Sequence, residues 1–231
     1  SRALGLHKAT TYRLLQTLRA RGLVEQDAIT GNYRLGLHLY ELGIRVIAPA
    51  DLVYVARDDL RDLALHTGES ATVAVLNGRH AVTILKAEGS QVGGVAQVLG
   101  RAQQAHGTAN GKVLLAHLPP EQLEARLAEV ELEQFTPRTI TDFRRLCDHL
   151  AQVRRQGYAL DCEETTQGVN CAAAPIRDLS GLVVAAIGVS GSTARLDWTH
   201  SLHTVQEVVA TADRISRRLG YLPHLDPLTR G

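Results

Sequence analysis

The 231-residue sequence has no methionine, only three cysteines and no long hydrophobic run. Its apolar stretches, such as residues 182–189, are far shorter than the roughly 20 residues that cross a bilayer, and no charged-then-apolar leader opens it. We therefore expect a cytoplasmic protein without membrane contact.

The missing initiator methionine and the start within a helical pattern predict further natural residues upstream. A composition of 45% hydrophobic and 21% charged residues excludes disordered and fibrous proteins.

The three cysteines, Cys147, Cys162 and Cys171, are odd in number and widely spaced. This pattern excludes a disulfide framework and a Cys-x-x-Cys zinc or redox motif, and it fits reduced thiols in a cytosol. It leaves open a cysteine-dependent redox sensor or enzyme that uses Cys162 or Cys171. Such a protein needs an exposed thiol with a lowered pKa. We expect no cofactor.

The formal net charge of +1 hides an asymmetry along the chain. Residues 1–46 carry seven basic and three acidic side chains, whereas the remainder has a net charge of −3. A small basic segment joined to a larger, mildly acidic one indicates that the first part binds a polyanion and that the second part has a different kind of partner.

The segment from His7 to Arg21 has two faces at helical period. The face expected to be buried is formed by Thr11, Leu14, Leu15 and Leu18. The opposite, outward face is formed by Ala9, Tyr12, Arg13 and Gln16. Gly5 precedes this helix, where a tight turn between two helices commonly needs glycine, and Gly22 ends it.

Two β-prone runs, residues 23–27 and 32–35, then flank a turn that contains Gly31. They predict a hairpin, and a helix-turn-helix followed directly by a hairpin is a winged helix. A helix of this kind fits the DNA major groove, where Arg13 and Gln16 would bond base edges. We expect the phosphate contacts to come from Lys8, Thr10, Tyr12 and Arg34. The alternative is the solvated face of a protein-interaction domain.

The motifs in residues 4–18, 22–25 and 30–36 closely resemble the DNA-binding domain of the isocitrate-lyase-regulator (IclR) family of bacterial transcription regulators. The resemblance implies a winged helix-turn-helix domain in residues 1–35 that binds double-stranded DNA. In that family the first helix and most of the second lie upstream of this run, so a molecule that starts at Ser1 would bind DNA poorly. Residues 36–49, apolar nearly all round, resemble the family's linker helix, which takes part in dimer contacts.

Residues 50–231 predict an α+β domain with a mainly antiparallel sheet. The predicted helices are a first at 51–68, one after Gly107, one opened by Pro119-Pro120, one from an N-cap at Thr141 to Gly157, and a closing helix at 198–219. The predicted strands are 70–77 and 81–86 around Asn77-Gly78, a weaker one at 93–99, and 158–162, 171–177 and 182–190.

The runs 106–112, 157–164, 168–176 and 190–191 resemble the same family's effector-binding domain, which has a GAF-like fold. The resemblance implies a small organic acid as effector and a homodimer or dimer of dimers on a palindromic operator. It places the acid against Ala109, Asn110, Asp161, Cys171, Gly188 and Ser190. It places an apolar wall at Val92, Val95, Gln103 and Val169. A helix that starts at Ala109 would favour a carboxylate through its free N–H groups and its dipole.

Two positions depart from a relative that binds a two-carbon keto acid. Gly188 stands in place of serine, which removes a hydroxyl and is expected to add room, and Gln103 makes an aliphatic wall polar. Together they predict an acid that is bulkier or more hydroxylated than glyoxylate.

Two other chemistries find little support in the spacing. Residues 107–113 have three residues between the glycines instead of four and end in Val113, so they do not form a phosphate loop. His106, Asp161, Cys162 and Cys171 lack the close spacing of a metal or nucleophile site. We therefore predict a regulator without catalytic activity, and whether it represses or activates stays open.

Overall fold

The computed structural model describes residues 5–46, 50–91 and 98–222. By its contacts the chain divides into two compact units, Ser1–Ala50 and Asp51–Gly231, which are described separately below. Among the described residues, no helix combines the length and the apolar character that crossing a membrane requires.

The first unit contains a helix, a two-stranded hairpin and a second helix. These are α1 (Lys8–Ala20), β1 (Val24–Gln26), β2 (Tyr33–Leu35) and α2 (Leu37–Val46). Gly22 follows α1 with a positive φ of 68°, which glycine adopts without strain. The strands pair antiparallel, and in their turn the Asp27 carboxylate accepts the backbone N–H of Thr30 at 2.7 Å. The predicted helix and hairpin are confirmed.

The prediction that one face of α1 is buried is wrong for the described residues. Leu14 is 51% exposed and Leu18 is 38% exposed, Thr11 and Leu15 are half-buried, and no residue of α1 is fully buried. The reason is that α1 packs chiefly against β1, which leaves much of its leucine face exposed.

The second unit is built on a six-stranded antiparallel sheet. Its strands are β3 (Ser70–Asn77), β4 (His80–Ala87), β5 (Ala102–Gln104), β6 (Ala159–Cys162), β7 (Val169–Arg177) and β8 (Val183–Ser192). Their order is β5-β4-β3-β8-β7-β6, with every neighbouring pair antiparallel. The predicted α+β class and the hairpin around Asn77-Gly78 are confirmed.

Helices cover both faces of this sheet. They are α3 (Ala50–Thr67), α4 (Ala109–Ala116), α5 (Pro120–Leu127), α6 (Phe143–Gln156) and α7 (Leu202–Arg218). Leu60 of α3 and Ile215 of α7 belong to a core on one face, and Val113 of α4 and Leu146 of α6 belong to a core on the other. The second face also holds the candidate site, because α4 begins there.

Three predicted boundaries differ from the structure. Of the predicted strand at 93–99, residues 93–97 lie outside the described residues and residues 98–99 are not strand. The unpredicted β5 forms just after them. The N-cap of α6 is Asp142 instead of Thr141, because the Asp142 carboxylate accepts the N–H of Arg145 at 2.8 Å. The closing helix starts at Leu202 instead of residue 198. The residues before it form a turn in which the Asp197 side chain accepts the N–H of Thr199.

Candidate ligand-binding cavity

A row of polar side chains crosses three strands of the sheet on the face that meets α4. Asp161 of β6 pairs in register with Cys171 of β7, which pairs with Ser190 of β8. Because side chains alternate along a strand, the position two residues away on β8, Gly188, faces the same side. The sheet therefore presents a polar floor beside the apolar core that α4 and α6 form.

Between this floor and the start of α4 lies a cavity of about 70 Å³. A single water needs roughly 10–15 Å³, so the cavity has room for several waters or for a small acid. The structure brings together all eight predicted residues that it describes, namely Gln103, Ala109, Asn110, Asp161, Val169, Cys171, Gly188 and Ser190. Val92 and Val95 lie outside the described residues.

The cavity wall also contains polar residues that the sequence analysis missed. These are Thr72, Thr83, Arg101, Thr108, Thr165 and Thr166. The strand alternation could have identified Thr72 and Thr83 as polar positions on the inner face of an otherwise apolar hairpin. The two threonines after β6 carry no such signal, because they lie in a loop whose path depends on tertiary contacts.

Asp161 is fully buried, and both of its oxygens accept hydrogen bonds. Oδ1 accepts the backbone N–H of Glu164 at 2.6 Å, and Oδ2 accepts the Thr165 hydroxyl at 2.7 Å. Burial raises the pKa of this carboxyl above its ordinary value, although these hydrogen bonds act in the opposite direction. A carboxyl fixed in this way at the cavity wall is suited to accept a hydrogen bond from a ligand hydroxyl.

Asn110 brings a buried acceptor without a partner to the same wall. Its Nδ2 donates to the Thr72 hydroxyl at 3.0 Å, whereas its buried Oδ1 has no hydrogen-bond partner among the described residues. The Thr108 hydroxyl caps α4 by accepting the N–H of Gly111 at 3.0 Å. The backbone N–H groups of Ala109 and Asn110 have no carbonyl partner within the helix, as at any helix start. This end of the cavity thus offers donors for an anion.

Gly188 does not add room to the cavity, contrary to the expectation from the sequence. A Cβ at this position would lie 2.5 Å from the carbonyl oxygen of Ala172 and 3.0 Å from Oδ1 of Asn110. Glycine is required because the neighbouring strand and the start of α4 approach this point closely. The polar Gln103 lines the cavity as predicted and is half-buried.

A buried ion pair, also missed from the sequence, fixes the loop after β6 to α4. Lys112 is fully buried, and its ammonium donates to the Glu164 carboxylate and, at 3.1 Å, to the carbonyl of Leu160. Burial raises the pKa of Glu164, and the charge of Lys112 opposes that rise. Lys112 therefore pairs with an internal carboxylate, unlike the lysine of a phosphate loop.

The cysteine chemistry that the sequence left open finds no support in the site. Burial raises the pKa of all three thiols, and nearby carboxylates raise it further, Asp161 for Cys171 and Glu164 for Cys162. A reactive cysteine needs the opposite shift. Among the described residues no group of three or more His, Cys, Asp or Glu side chains is placed to hold a metal ion.

The residues predicted to contact DNA lie in the first unit. Lys8, Ala9, Tyr12 and Arg13 are exposed on α1, whereas Thr10 and Gln16 are half-buried. The Gln16 amide donates to the Tyr33 hydroxyl at 3.4 Å. Arg34 is exposed but forms an ion pair with Glu25 across the hairpin at 2.8 Å. Arg13 and Lys8 therefore form the exposed basic part of the predicted recognition face.

Two family models match the chain. The model of the C-terminal domain of the bacterial transcriptional regulator IclR matches residues 44–217, and that of the IclR helix-turn-helix domain matches residues 1–28. Among known proteins, the chain is 38% identical over 221 residues to the HTH-type transcriptional regulator XynR of Escherichia coli K12, covering 96% of this chain and 88% of XynR. It is also 38% identical over 221 residues to the HTH-type transcriptional repressor AllR of that strain, with 96% and 82% covered.

Solved structures share the fold. The Thermotoga maritima IclR has a TM-score of 0.74 at 32% identity, with 95% of this chain and 89% of that one covered. An IclR homolog from Microbacterium hydrocarbonoxydans, complexed with 4-hydroxybenzoate, has a TM-score of 0.81 at 25% identity, with 94% and 88% covered. These relatives are transcriptional regulators rather than enzymes, which confirms the prediction of a non-catalytic protein.

Replacing Lys112 by methionine should lower the free energy of unfolding by about 3–5 kcal/mol, because it leaves the buried Glu164 carboxylate unpaired. The double variant Lys112→Met/Glu164→Gln should recover part of that loss. Lys86→Met, which removes a more exposed pair with Glu88, is the matched control and should cost about 1 kcal/mol or less. Urea unfolding measures all three, and equal losses for the two lysines would contradict the structural role of the buried pair.

Proposed function

The chain belongs to the IclR family of bacterial transcriptional regulators, and from that premise we propose that a small organic acid controls its affinity for a palindromic DNA operator. In this proposal residues 1–35 bind the DNA, residues 36–49 link the two parts, and residues 50–231 bind the acid. The protein acts as a homodimer or as a dimer of dimers.

The observation that carries the proposal is the polar cavity under α4. Eight residues expected from the family resemblance lie on four different strands and at the start of one helix. They nevertheless line a single cavity. Buried polar atoms are normally hydrogen-bonded, and Oδ1 of Asn110 at this wall has no partner among the described residues. A bound ligand would supply one.

The charges around the cavity favour an acid with hydroxyl groups. The start of α4 supplies N–H donors and the positive end of the helix dipole, which suit a carboxylate. Asp161 instead accepts hydrogen bonds, and Thr72 and Ser190 add hydroxyls. A related protein is complexed with 4-hydroxybenzoate, an acid that carries both kinds of group.

The DNA contact is supported by the exposed face of α1 and by the hairpin that follows it. Arg13 lies in the middle of this helix, where a recognition helix reaches base edges, and Lys8 lies at its start, near a phosphate backbone. A two-fold dimer reads two half-sites, which is why we propose a palindromic operator.

Control of DNA binding by the acid requires two states of the protein with different affinities for it. A ligand that bound both states equally would change nothing. The proposal therefore includes a difference in acid affinity between the DNA-bound and the DNA-free protein.

In a thermal-shift panel of small carboxylates, we expect at least one acid to raise the melting temperature. A ligand at a hundred times its Kd adds roughly 2.7 kcal/mol to native stability by mass action. Ser190→Val should weaken this response because it removes a hydroxyl from the floor, whereas Ser180→Ala in the exposed turn before β8 should not. A flat response to every acid, ketone and aromatic compound would remove the sensing half of the proposal.

Arg13→Ala in the full-length regulator should weaken operator binding by about 1–3 kcal/mol and relax the base preference at one position of each half-site. Lys8→Ala should instead weaken binding to all sequences and reduce the salt slope by about one, as expected for a phosphate contact. Arg144→Ala, on the exposed side of α6, controls for the loss of one charge. Fluorescence anisotropy with operator and scrambled duplexes measures the three, and unchanged binding by Arg13→Ala would refute the assignment of the recognition helix.

A further inference from the structure

The cavity under α4 adjoins a second, larger space. This outer cleft has a volume of about 310 Å³ and shares Arg101, Gln103, Thr165 and Thr166 with the cavity. Its remaining lining is His80, Ala102, Gln104, Glu133 and Phe135. Because four residues line both spaces, the cavity and the outer cleft lie side by side, with these four residues between them.

Arg101 supplies a cationic group that lines both spaces. Its backbone is held against β4, since its N–H donates to the carbonyl of Val98 and its own carbonyl accepts the N–H of Thr83, both at 3.2 Å. The guanidinium is exposed and makes no hydrogen bond or ion pair with any residue that the structure describes. It is also the sole lysine or arginine among the described residues of the cavity wall.

Two other charged groups near the cavity, Lys112 and Asp161, already have hydrogen-bond partners, whereas Glu133 lines the outer cleft. The Lys112 ammonium is bonded to Glu164 and Leu160, and both oxygens of Asp161 accept hydrogen bonds. In the outer cleft Glu133 is exposed, and its carbonyl accepts a hydrogen bond from His106, whose ring stacks on Phe135. The guanidinium of Arg101 is thus the charged group lining both spaces that can take a new anionic partner.

A guanidinium binds a carboxylate through two parallel N–H donors, which gives this pair both strength and direction. The start of α4 is a separate donor set for a carboxylate, formed by backbone N–H groups and not by side-chain charge. The lining of the cavity therefore carries two different features that each favour an anion.

We propose that the effector is a dicarboxylic acid, with one carboxylate held at the start of α4 and the other held by Arg101, which lines both the cavity and the outer cleft. This inference rests on the proposed function, because it names the class of acid that the same site binds. Arg101 is then the residue that selects diacids over monoacids of the same length.

The test is isothermal titration calorimetry of the full chain with matched acid pairs: succinate and butyrate, glutarate and valerate, phthalate and benzoate. The wild type should bind the diacid of at least one pair about tenfold more tightly than its partner, since a charge-assisted bond at an exposed position contributes about 1.4 kcal/mol. Arg101→Gln should remove that preference by weakening diacid binding about tenfold, with a smaller effect on the monoacid, and Arg101→Lys should restore part of it. Arg144→Gln is the charge-matched control.

The possible outcomes distinguish a failure of the Arg101 assignment from a failure of the proposed function. If monoacids and diacids bind equally and Arg101→Gln changes neither, the site still binds acids and only the assignment of Arg101 is overturned. Equal weakening of both members of a pair by Arg101→Gln also overturns it, because the arginine would then attract any anion. If no acid of any pair binds, the proposed function fails and this inference fails with it.

Discussion

The burial of polar groups beneath α4 is the constraint on which the second unit depends. Removing a charged or polar group from water is costly unless a partner replaces the water. The fold supplies such partners for Asp161 and for Lys112, and these bonds fix the loop after β6 against the start of α4. They thereby fix the loop whose threonines, Thr165 and Thr166, line the cavity. At this wall the buried Oδ1 of Asn110, which lies beside Gly188, has no partner among the described residues.

The two faces of the sheet have different tasks. On one face, α3 and α7 bury a continuous apolar core, and Asp59 of α3 pairs with Arg214 and Arg218 of α7 at its edge. This face makes the sheet a rigid platform. On the other face the apolar core under α4 and α6 stops at the row from Asp161 to Ser190, where polar side chains replace it. Sites built on strands and helix starts hold their geometry better than sites built on loops, which suits the recognition of a small acid.

Local sequence patterns predicted the helices and strands, and the family resemblance predicted many of the residues that line the cavity. The Asn77-Gly78 hairpin, the helix after Gly107 and the last three strands of the sheet were all predictable, because turn residues and hydrophobic periodicity are local signals. The Lys112–Glu164 pair was not, since its partners are 52 residues apart and each alone reads as an ordinary surface charge. The tight space at Gly188 and the exposed leucines of α1 were also beyond reach, because both depend on which distant segment packs there.

The central claim is that the space between the start of α4 and the strand row from Asp161 to Ser190 receives an acid. The most direct measurement is a crystal structure of the full chain grown with a saturating carboxylate. The account predicts density for the acid in that space, within hydrogen-bond distance of the Ala109 or Asn110 backbone N–H and of Ser190. Density for the acid at another place, with the cavity filled by the protein's own side chains, would contradict it.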